Sequence, residues 1–243
     1  MAASPPIPSP MPSASRHRAR LLAAIVLALL VAVPATAMFV RLTVHFAASF
    51  DTTSAPGGGL QADVGQISVI APPTEFVVVP TSGGGGELKI HDGGTTSEAT
   101  LLGTFKTQFK GQQLDATWSM GASQTNSPFD VRFVDDSDSG MIDVSFGGNG
   151  TIVVGGESLM PYAPDTTYEV ELTLYTPLFG TATWSVLVTS ADGTASATAS
   201  GLLPAITQPF GIKSVMLVRP AGAPAGEFFV DDFKVVSSTP SFK

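Results

Sequence analysis

The stretch that decides the fold is Ser127–Phe146, SPFDVRFVDDSDSGMIDVSF. Large apolar residues alternate with Asp130 and Arg132 in its first half, and with Asp143 and Ser145 in its second half. Successive side chains of a strand point to opposite faces of a sheet, so each half is typical of a strand with one buried and one solvated face. The Asp, Ser and Gly residues between the halves favour a turn. The stretch therefore predicts a β-hairpin in an antiparallel sheet.

The composition of the whole chain fits one domain of short strands. Its 243 residues are 13% charged and include 25 Gly and 19 Pro but no Cys. Alternating segments bounded by Gly or Pro recur after the N-terminus, which predicts an all-β, two-sheet antiparallel sandwich that is large enough to bury a core without disulfides. Besides the hairpin, strands are predicted at residues 39–50, 66–70, 75–79, 87–90, 105–109, 114–120, 151–154, 168–175, 183–189, 194–200, 212–218 and 228–236.

The first 37 residues have the order of a secretory signal. Basic residues within 16–20 precede the apolar run Leu21–Val33, and Ala35–Ala37 supplies a small-residue cleavage pattern. This order predicts cleavage after Ala37. The alternative is an uncleaved anchor helix at 21–40, because that apolar stretch approaches the roughly 20 residues that span a bilayer. In both cases the rest of the chain is predicted to lie outside the cytoplasm, since the arginines keep the N-terminus inside.

The predicted domains are a signal segment at 1–37, a β-sandwich at 38–237 and a short tail at 238–243. All 20 acidic residues follow Ala37, so cleavage would leave 9 basic residues and a net charge of −11. Binding to phosphates requires a basic face, which dispersed lysines and arginines do not form. Nucleic acid is therefore not expected as a partner.

Motifs for the common catalytic mechanisms are missing from the sequence. It has no G-x-S-x-G elbow, no Cys nucleophile, no phosphate loop and no H-E-x-x-H. His45 and His91 lie far apart in the chain. Both are interpreted as ordinary polar positions, with His45 on the polar side of its strand. The sequence thus predicts a protein without catalytic activity.

Three segments carry a resemblance to a known family. They are residues 49–52 (SFDT), residues 162–170 (YAPDTTYEV) followed by Trp184 and Asp192-Gly193, and residues 226–235 (GEFFVDDFKV). In this order they resemble the concanavalin A-like lectin and glucanase superfamily, especially the LamG-like jelly-roll modules of secreted bacterial proteins. The resemblance implies a jelly-roll fold. It implies no catalytic residues for this chain, because the E-x-D-x-x-E strand of the related glucanases is absent from the sequence.

No cofactor is predicted for the chain. The alternative is a structural calcium ion, which would be bound by acidic residues. In the fold that the chain resembles, the first and last strands are neighbours, which would bring Asp51 close to Asp231 and Asp232. Strict alternation would turn Asp231 inward unless a bulge interrupts the strand, and an inward carboxylate needs a partner such as structural Ca²⁺. The acidic loop at 135–140 lacks the ligand spacing of an EF-type loop and is interpreted as a hairpin tip.

The predicted ligand-binding residues are the tyrosines that alternation leaves outside the core, with nearby carboxylates. Alternation predicts that Tyr175 lies on the polar side of its strand, with Glu169 and Glu171 also facing outward, and it places Tyr162 in the preceding loop. Proteins bind sugars through aromatic rings and polar groups that satisfy hydroxyls. We therefore expect a secreted or surface-tethered module that binds an extracellular glycan or adheres to the cell envelope. The alternatives are a structural or protein-binding envelope domain and, third, an enzyme like the glycoside hydrolases.

The N-terminal pattern generates a prediction about processing. Because a basic patch, an apolar run and an A-x-A pattern follow one another, the exported protein should begin at Met38. Mass spectrometry of the protein secreted by an expressing cell measures this terminus. Recovery of the full-length chain from the membrane fraction alone would instead establish the anchor.

Overall fold

The hairpin predicted at 127–146 is present, because residues 129–135 and 140–146 form antiparallel strands with Val131 opposite Val144. The computed structural model describes residues 39–50, 60–70, 76–81, 85–91, 98–107, 109, 113–136, 139–175, 181–203 and 211–241. The strands are β1 (Phe39–Ala48), β2 (Gln66–Val69), β3 (Phe76–Pro80), β4 (Gly86–His91), β5 (Ala99–Thr104), β6 (Gln113–Ala122), β7 (Phe129–Asp135), β8 (Gly140–Phe146), β9 (Thr151–Val154), β10 (Glu157–Pro161), β11 (Thr166–Tyr175), β12 (Thr183–Ser190), β13 (Ser196–Leu202), β14 (Ile212–Arg219) and β15 (Glu227–Ser241).

The strands of the described residues form two antiparallel sheets. The larger sheet has the order β13-β12-β11-β6-β15-β4-β3, and β1 also pairs with β15. The smaller sheet has the order β10-β9-β8-β7-β14-β5-β2. Neighbours in each sheet are often far apart in sequence, as β6 and β15 are, which is the topology of a sandwich rather than of a simple meander. The predicted all-β, two-sheet sandwich is confirmed.

The core lies between the two sheets and consists of the inward row of each strand. On β6, β7, β8, β11 and β12 the alternation of the sequence predicts this inward row correctly. Burying these side chains removes apolar surface from water, which is the main favourable term in folding. These residues are Trp118, Phe129, Phe133, Ile142, Val144, Tyr168, Val170, Leu172, Trp184, Val186 and Val188.

Strand β15 contains a bulge that keeps its apolar residues inward. Its pairing with β6 shifts between Asp231 and Lys234, and Asp232 has a positive φ of 51°. The backbone N–H of Asp232 donates to Oδ1 of Asp231 at 2.8 Å. The extra residue turns Phe233 into the core, where its ring stacks on Trp118 with centroids 5.1 Å apart. Of the two alternatives for this segment, the bulge is therefore correct.

Segment 105–109, which was predicted to be a strand, is not one. The strand in this part of the chain is β5, which ends just before the segment and which the sequence did not indicate. The segment itself crosses between the two sheets. Its backbone N–H groups donate to both sheets, from Lys106 to the His45 carbonyl of β1 and from Phe105 to the Lys213 carbonyl of β14. Strand β10 was also not predicted, and β15 continues beyond the predicted end at residue 236.

This crossing segment explains why the predicted polar position of His45 is wrong. His45 is buried, its Nδ1 donates to the Thr107 carbonyl at 2.9 Å, and its Nε2 lies 2.8 Å from Oγ of Ser237. Leu42, which alternation placed inward, is 67% exposed. Strict alternation fails on β1 because the segment covers the face that would otherwise be solvated. His91 is exposed beside Glu227.

Val40–Thr239 forms one compact unit. A second unit, Met1–Phe39 with Pro240–Lys243, lies almost entirely outside the described residues, as does the predicted signal or anchor helix. The described residues include no helix of the length and apolarity that a bilayer span requires.

The positive φ of Asp232 generates a prediction about stability. This left-handed conformation costs residues other than Gly about 1–2 kcal/mol, and β-branched residues tolerate it least. Asp232→Val should therefore lower the free energy of unfolding by about 1–3 kcal/mol, whereas Asp232→Gly should leave it unchanged or raise it. Urea denaturation of the two variants measures the difference. A loss of stability in Asp232→Gly as large as in Asp232→Val would mean that the carboxylate, not the backbone, decides the stability of the bulge.

Candidate functional site

The candidate site lies on the outer face of the larger sheet, across β13, β12, β11 and β6. The registers between these strands are uninterrupted, so their outward side chains form straight rows that run across the strands. One row has short side chains and is called the hydroxyl row. It consists of Ser200, Ser185, Thr173 and Asp115.

Longer side chains flank the hydroxyl row on both sides. The row on one side consists of Leu202, Thr183, Tyr175 and Gln113, and the row on the other side consists of Thr198, Leu187, Glu171 and Thr117. The longest side chains of the flanking rows belong to Tyr175 and Leu202 on one side and to Glu171 and Leu187 on the other, and the furrow between them is called the trench. Because strands lie about 4.8 Å apart, the trench extends for about 14 Å across four strands.

Two adjoining hollows lie side by side on β11, β12 and β13, one toward each row that flanks the hydroxyl row. They have volumes of about 450 and 420 Å³ and share Thr173, Ser185 and Ser200 as their floor. Glu171 and Leu187 line the first hollow, whereas Tyr175 and Leu202 line the second. The two sides of the trench thus differ mainly in having the Glu171 carboxylate on one side and the Tyr175 ring on the other.

Hydrogen bonds fix one end of the hydroxyl row. Oδ1 of Asp115 accepts from Oγ1 of Thr173 at 2.8 Å and from Nε2 of Gln113 at 3.0 Å. This orients the Thr173 hydroxyl and holds the Asp115 carboxylate. The hydroxyls of Ser185 and Ser200 have no hydrogen-bond partner among the described residues, and both residues are exposed. They are therefore available to donate to and accept from a bound molecule.

The structure brings three of the four predicted ligand-binding residues onto this face. Tyr175, which is 41% exposed, and Glu171 line the trench. Glu169 lies one row further along β11, beside Thr189 of β12. The serines and threonines of β12 and β13 were not singled out from the sequence. The signal was present in SATASGL, where Ser196, Thr198 and Ser200 alternate with small residues.

The fourth predicted residue, Tyr162, lies in the core. It is 6% exposed, its ring centroid is 4.4 Å from that of Phe146, and its hydroxyl donates to the Gly147 carbonyl. Burial, with a smaller effect from Tyr168, raises the pKa of Tyr162 to about 12. Its ring has no open face for a ligand, so we do not include it in the site.

The residues of the calcium prediction lie on and near β15. Asp232 is exposed, and the Asp231 carboxylate accepts from the Asp232 backbone at the bulge. Asp51 lies outside the described residues. Within the described ranges no three Asp, Glu or His side chains come together as ligands for a metal ion. A structural calcium ion, which would need oxygen ligands from several residues, stays a prediction.

A second polar cluster lies on the outer face of the smaller sheet. Asp130 and Arg132 of β7 face Ser145 and Asp143 of β8, respectively. Nη2 of Arg132 donates to Oδ2 of Asp130 at 3.1 Å, and Oγ of Ser145 lies 3.4 Å from Oδ2 of Asp143. Burial raises the pKa of Asp130 above its usual value, although the Ser145 hydrogen bond and Arg132 both lower it. Because these side chains form hydrogen bonds with one another, we interpret the cluster as a structural contact of the β7–β8 pair.

Comparisons with known proteins identify the fold. No protein-family model matches the chain, and no curated protein matches it. Among solved structures, the chain is similar to the marine PL-14 alginate lyase from Aplysia kurodai, at 6% identity and a TM-score of 0.63. The match covers 79% of this chain and 98% of the lyase. The fold is a concanavalin A-like jelly roll. The predicted resemblance is thus confirmed at the level of the fold.

Two other structures are similar at lower TM-scores. A sialidase matches at 15% identity and a TM-score of 0.47, over 69% of this chain, and the chain spans only 17% of the sialidase. Peanut lectin with a 9mer peptide matches at 9% identity and a TM-score of 0.49, over 84% of this chain and 100% of the lectin. Likeness of fold alone does not assign a function to the chain.

The raised pKa of Asp130 generates a prediction about pH. A folded-state pKa above the unfolded value of 3.8 means that the folded protein holds this proton more tightly than the unfolded chain does. The resulting stabilisation is fully present below the unfolded pKa and is lost as the pH rises through the raised pKa. Relative to the variant Asp130→Asn, the wild-type protein should therefore lose free energy of unfolding as the pH rises through this range.

Urea denaturation of both proteins at a series of acid pH values measures the difference. If the wild-type protein gained stability relative to the variant over that range, the ion pair with Arg132 would outweigh burial, and the pKa of Asp130 would be lowered rather than raised.

Proposed function

We propose that the protein is a glycan-binding module whose binding site is the trench. The observation that carries the proposal is the row of short hydroxyl side chains between the Tyr175 ring on one side and the Glu171 carboxylate on the other. Tyr175 offers an exposed ring against which the apolar face of a pyranose can lie. Ser185 and Ser200 offer hydroxyls without partners among the described residues, which suits a ligand whose own hydroxyls must be satisfied.

The shape of the trench favours an extended chain of sugars over a single compact ligand. The hydroxyl row crosses four strands in a straight line, and its two hollows adjoin one another. Both hollows lie on an outward sheet face, so a bound sugar keeps much of its contact with water. We expect weak affinity for each sugar unit, since affinity depends on how much surface is fully desolvated in well-packed pockets.

We propose further that the trench binds glycans without cleaving them. Hydrolysis of a glycosidic bond commonly requires two carboxylates that flank the bond. Among the described residues that line the two hollows, Glu171 is the single carboxylate. Asp115, at the end of the hydroxyl row, already accepts hydrogen bonds from Gln113 and Thr173. This arrangement supports binding better than acid–base catalysis.

We also propose that the protein acts outside the cytoplasm, where extracellular glycans or components of the cell envelope are its partners. The support is the order of the N-terminal residues, a basic patch before an apolar run and an A-x-A pattern.

Filling the trench tests the site. Ser185 lies in the floor of both hollows, so Ser185→Trp places a bulky side chain where the ligand would lie. The matched control is Ser196→Trp, the same substitution at an exposed serine of β13 that lines neither hollow. Binding to a panel of polysaccharides, measured by calorimetric titration, should weaken about tenfold or more in Ser185→Trp and stay unchanged in Ser196→Trp, where tenfold corresponds to about 1.4 kcal/mol.

Thermal denaturation shows whether both variants fold as the wild-type protein does. Equal binding by the two variants would mean that the trench is the wrong face. If the wild-type protein bound no polysaccharide at all, a structural or protein-binding role in the cell envelope would replace the proposed one.

A further inference from the structure

The four strands that carry the trench have an unusual charge pattern. Strands β6, β11, β12 and β13 contain three acidic residues, Asp115, Glu169 and Glu171, and no Lys, Arg or His. All three carboxylates point outward, because the residues that alternate with them are buried. A ligand that lies in the trench therefore meets negative charge alone on these strands.

Glu169 and Glu171 lack the cationic partners that other carboxylates of the protein have. Both are exposed, and neither takes part in an ion pair among the described residues. By contrast, Oε1 of Glu227 lies 2.6 Å from Nζ of Lys89, and Asp130 is paired with Arg132. Two carboxylates at neighbouring outward positions of one strand lie about 7 Å apart and repel each other weakly. A cation bound between them would remove this repulsion.

Within the part of the chain that the structure describes, the nearest basic residue along the same face belongs to another strand. Lys234 of β15 is opposite Thr117 of β6, which in turn is opposite Glu171. Lys234 is therefore two strand spacings, or about 10 Å, from Glu171, which is about the distance over which salt screens exposed charges. Among the described residues Lys234 forms no ion pair with Glu171.

We propose that the trench selects its glycan by charge and takes chains of amino sugars with free ammonium groups. This inference rests on the proposed function of the trench. An ammonium group on the sugar would be attracted to Glu171 and Glu169 and, at the other side of the trench, to the exposed face of the Tyr175 ring. A uronate chain would place carboxylates against the same residues, and this repulsion supplies the specificity.

Three oligosaccharides of equal length test the proposal. They are hexamers of glucosamine, N-acetylglucosamine and mannuronic acid, which are cationic, neutral and anionic, respectively, at a pH between the pKa of the uronic carboxyl group and that of the sugar ammonium. Calorimetric titration at low ionic strength should show that the glucosamine hexamer binds at least about fivefold more tightly than the mannuronic acid hexamer. Added salt should reduce this ratio, because exposed charges are screened.

Removal of the two glutamate charges isolates their contribution. In the variant Glu169→Gln/Glu171→Gln the ratio between the affinities for the cationic and anionic hexamers should fall to within about twofold. The matched control is Glu157→Gln, which removes an exposed carboxylate from β10 of the smaller sheet. This control should keep the ratio, because Glu157 belongs to the other sheet and does not line the trench.

The outcomes separate this inference from the function on which it rests. Suppose that the neutral hexamer binds to the wild-type protein and that Ser185→Trp weakens this binding, but that the anionic hexamer binds as tightly as the cationic one. The trench then binds glycans, and selection by charge is wrong. An unchanged ratio in the double variant would also overturn it. If no hexamer binds, the proposed function fails and the inference fails with it.

Discussion

The last strand of the sandwich depends on one inserted residue. Before the bulge, Phe228 and Val230 of β15 face the core, and after it Phe233 and Val235 do so. Without the insertion, alternation would turn Asp232 and Lys234 inward, and the cost of burying two charges would exceed the cost of a strained backbone. The bulge also seats Phe233 on Trp118 of β6. Both halves of β15 thus pack on the same core because a single residue has a left-handed conformation.

The irregularity of β15 contrasts with the regularity of β6, β11, β12 and β13. The pairings among these four strands contain no register shift, so outward side chains stay in line from strand to strand. A trench requires this alignment, because one shifted register would place a long side chain in the row of short ones. The proposed site is therefore a property of several strands in register and not of any single motif.

Alternation in the sequence predicted most of the fold, because burial follows strict period two on strands such as β11 and β12. It failed on β1, where segment 105–109 covers the polar face and buries His45. Among the residues of the candidate site, the alternation of the sequence predicted Tyr175, Glu171 and Glu169. The pairing of Ser185 with Ser200 could not be predicted, because the two serines become neighbours only through the register of β12 and β13. Tyr162 lies in the core because contacts with Phe146 and Gly147, distant in sequence, hold its ring there.

The trench reaches the border of the larger sheet, since β13 is the terminal strand of its order. Ser200 and Leu202 therefore stand at an open end, and β13 has no further strand of the described residues beside it to block a bound chain. A polymer longer than the trench would continue past this border into solvent, where a second copy of the protein could bind it. Linked binding events of this kind gain avidity through effective concentration, so weak contacts suffice to coat a long polysaccharide.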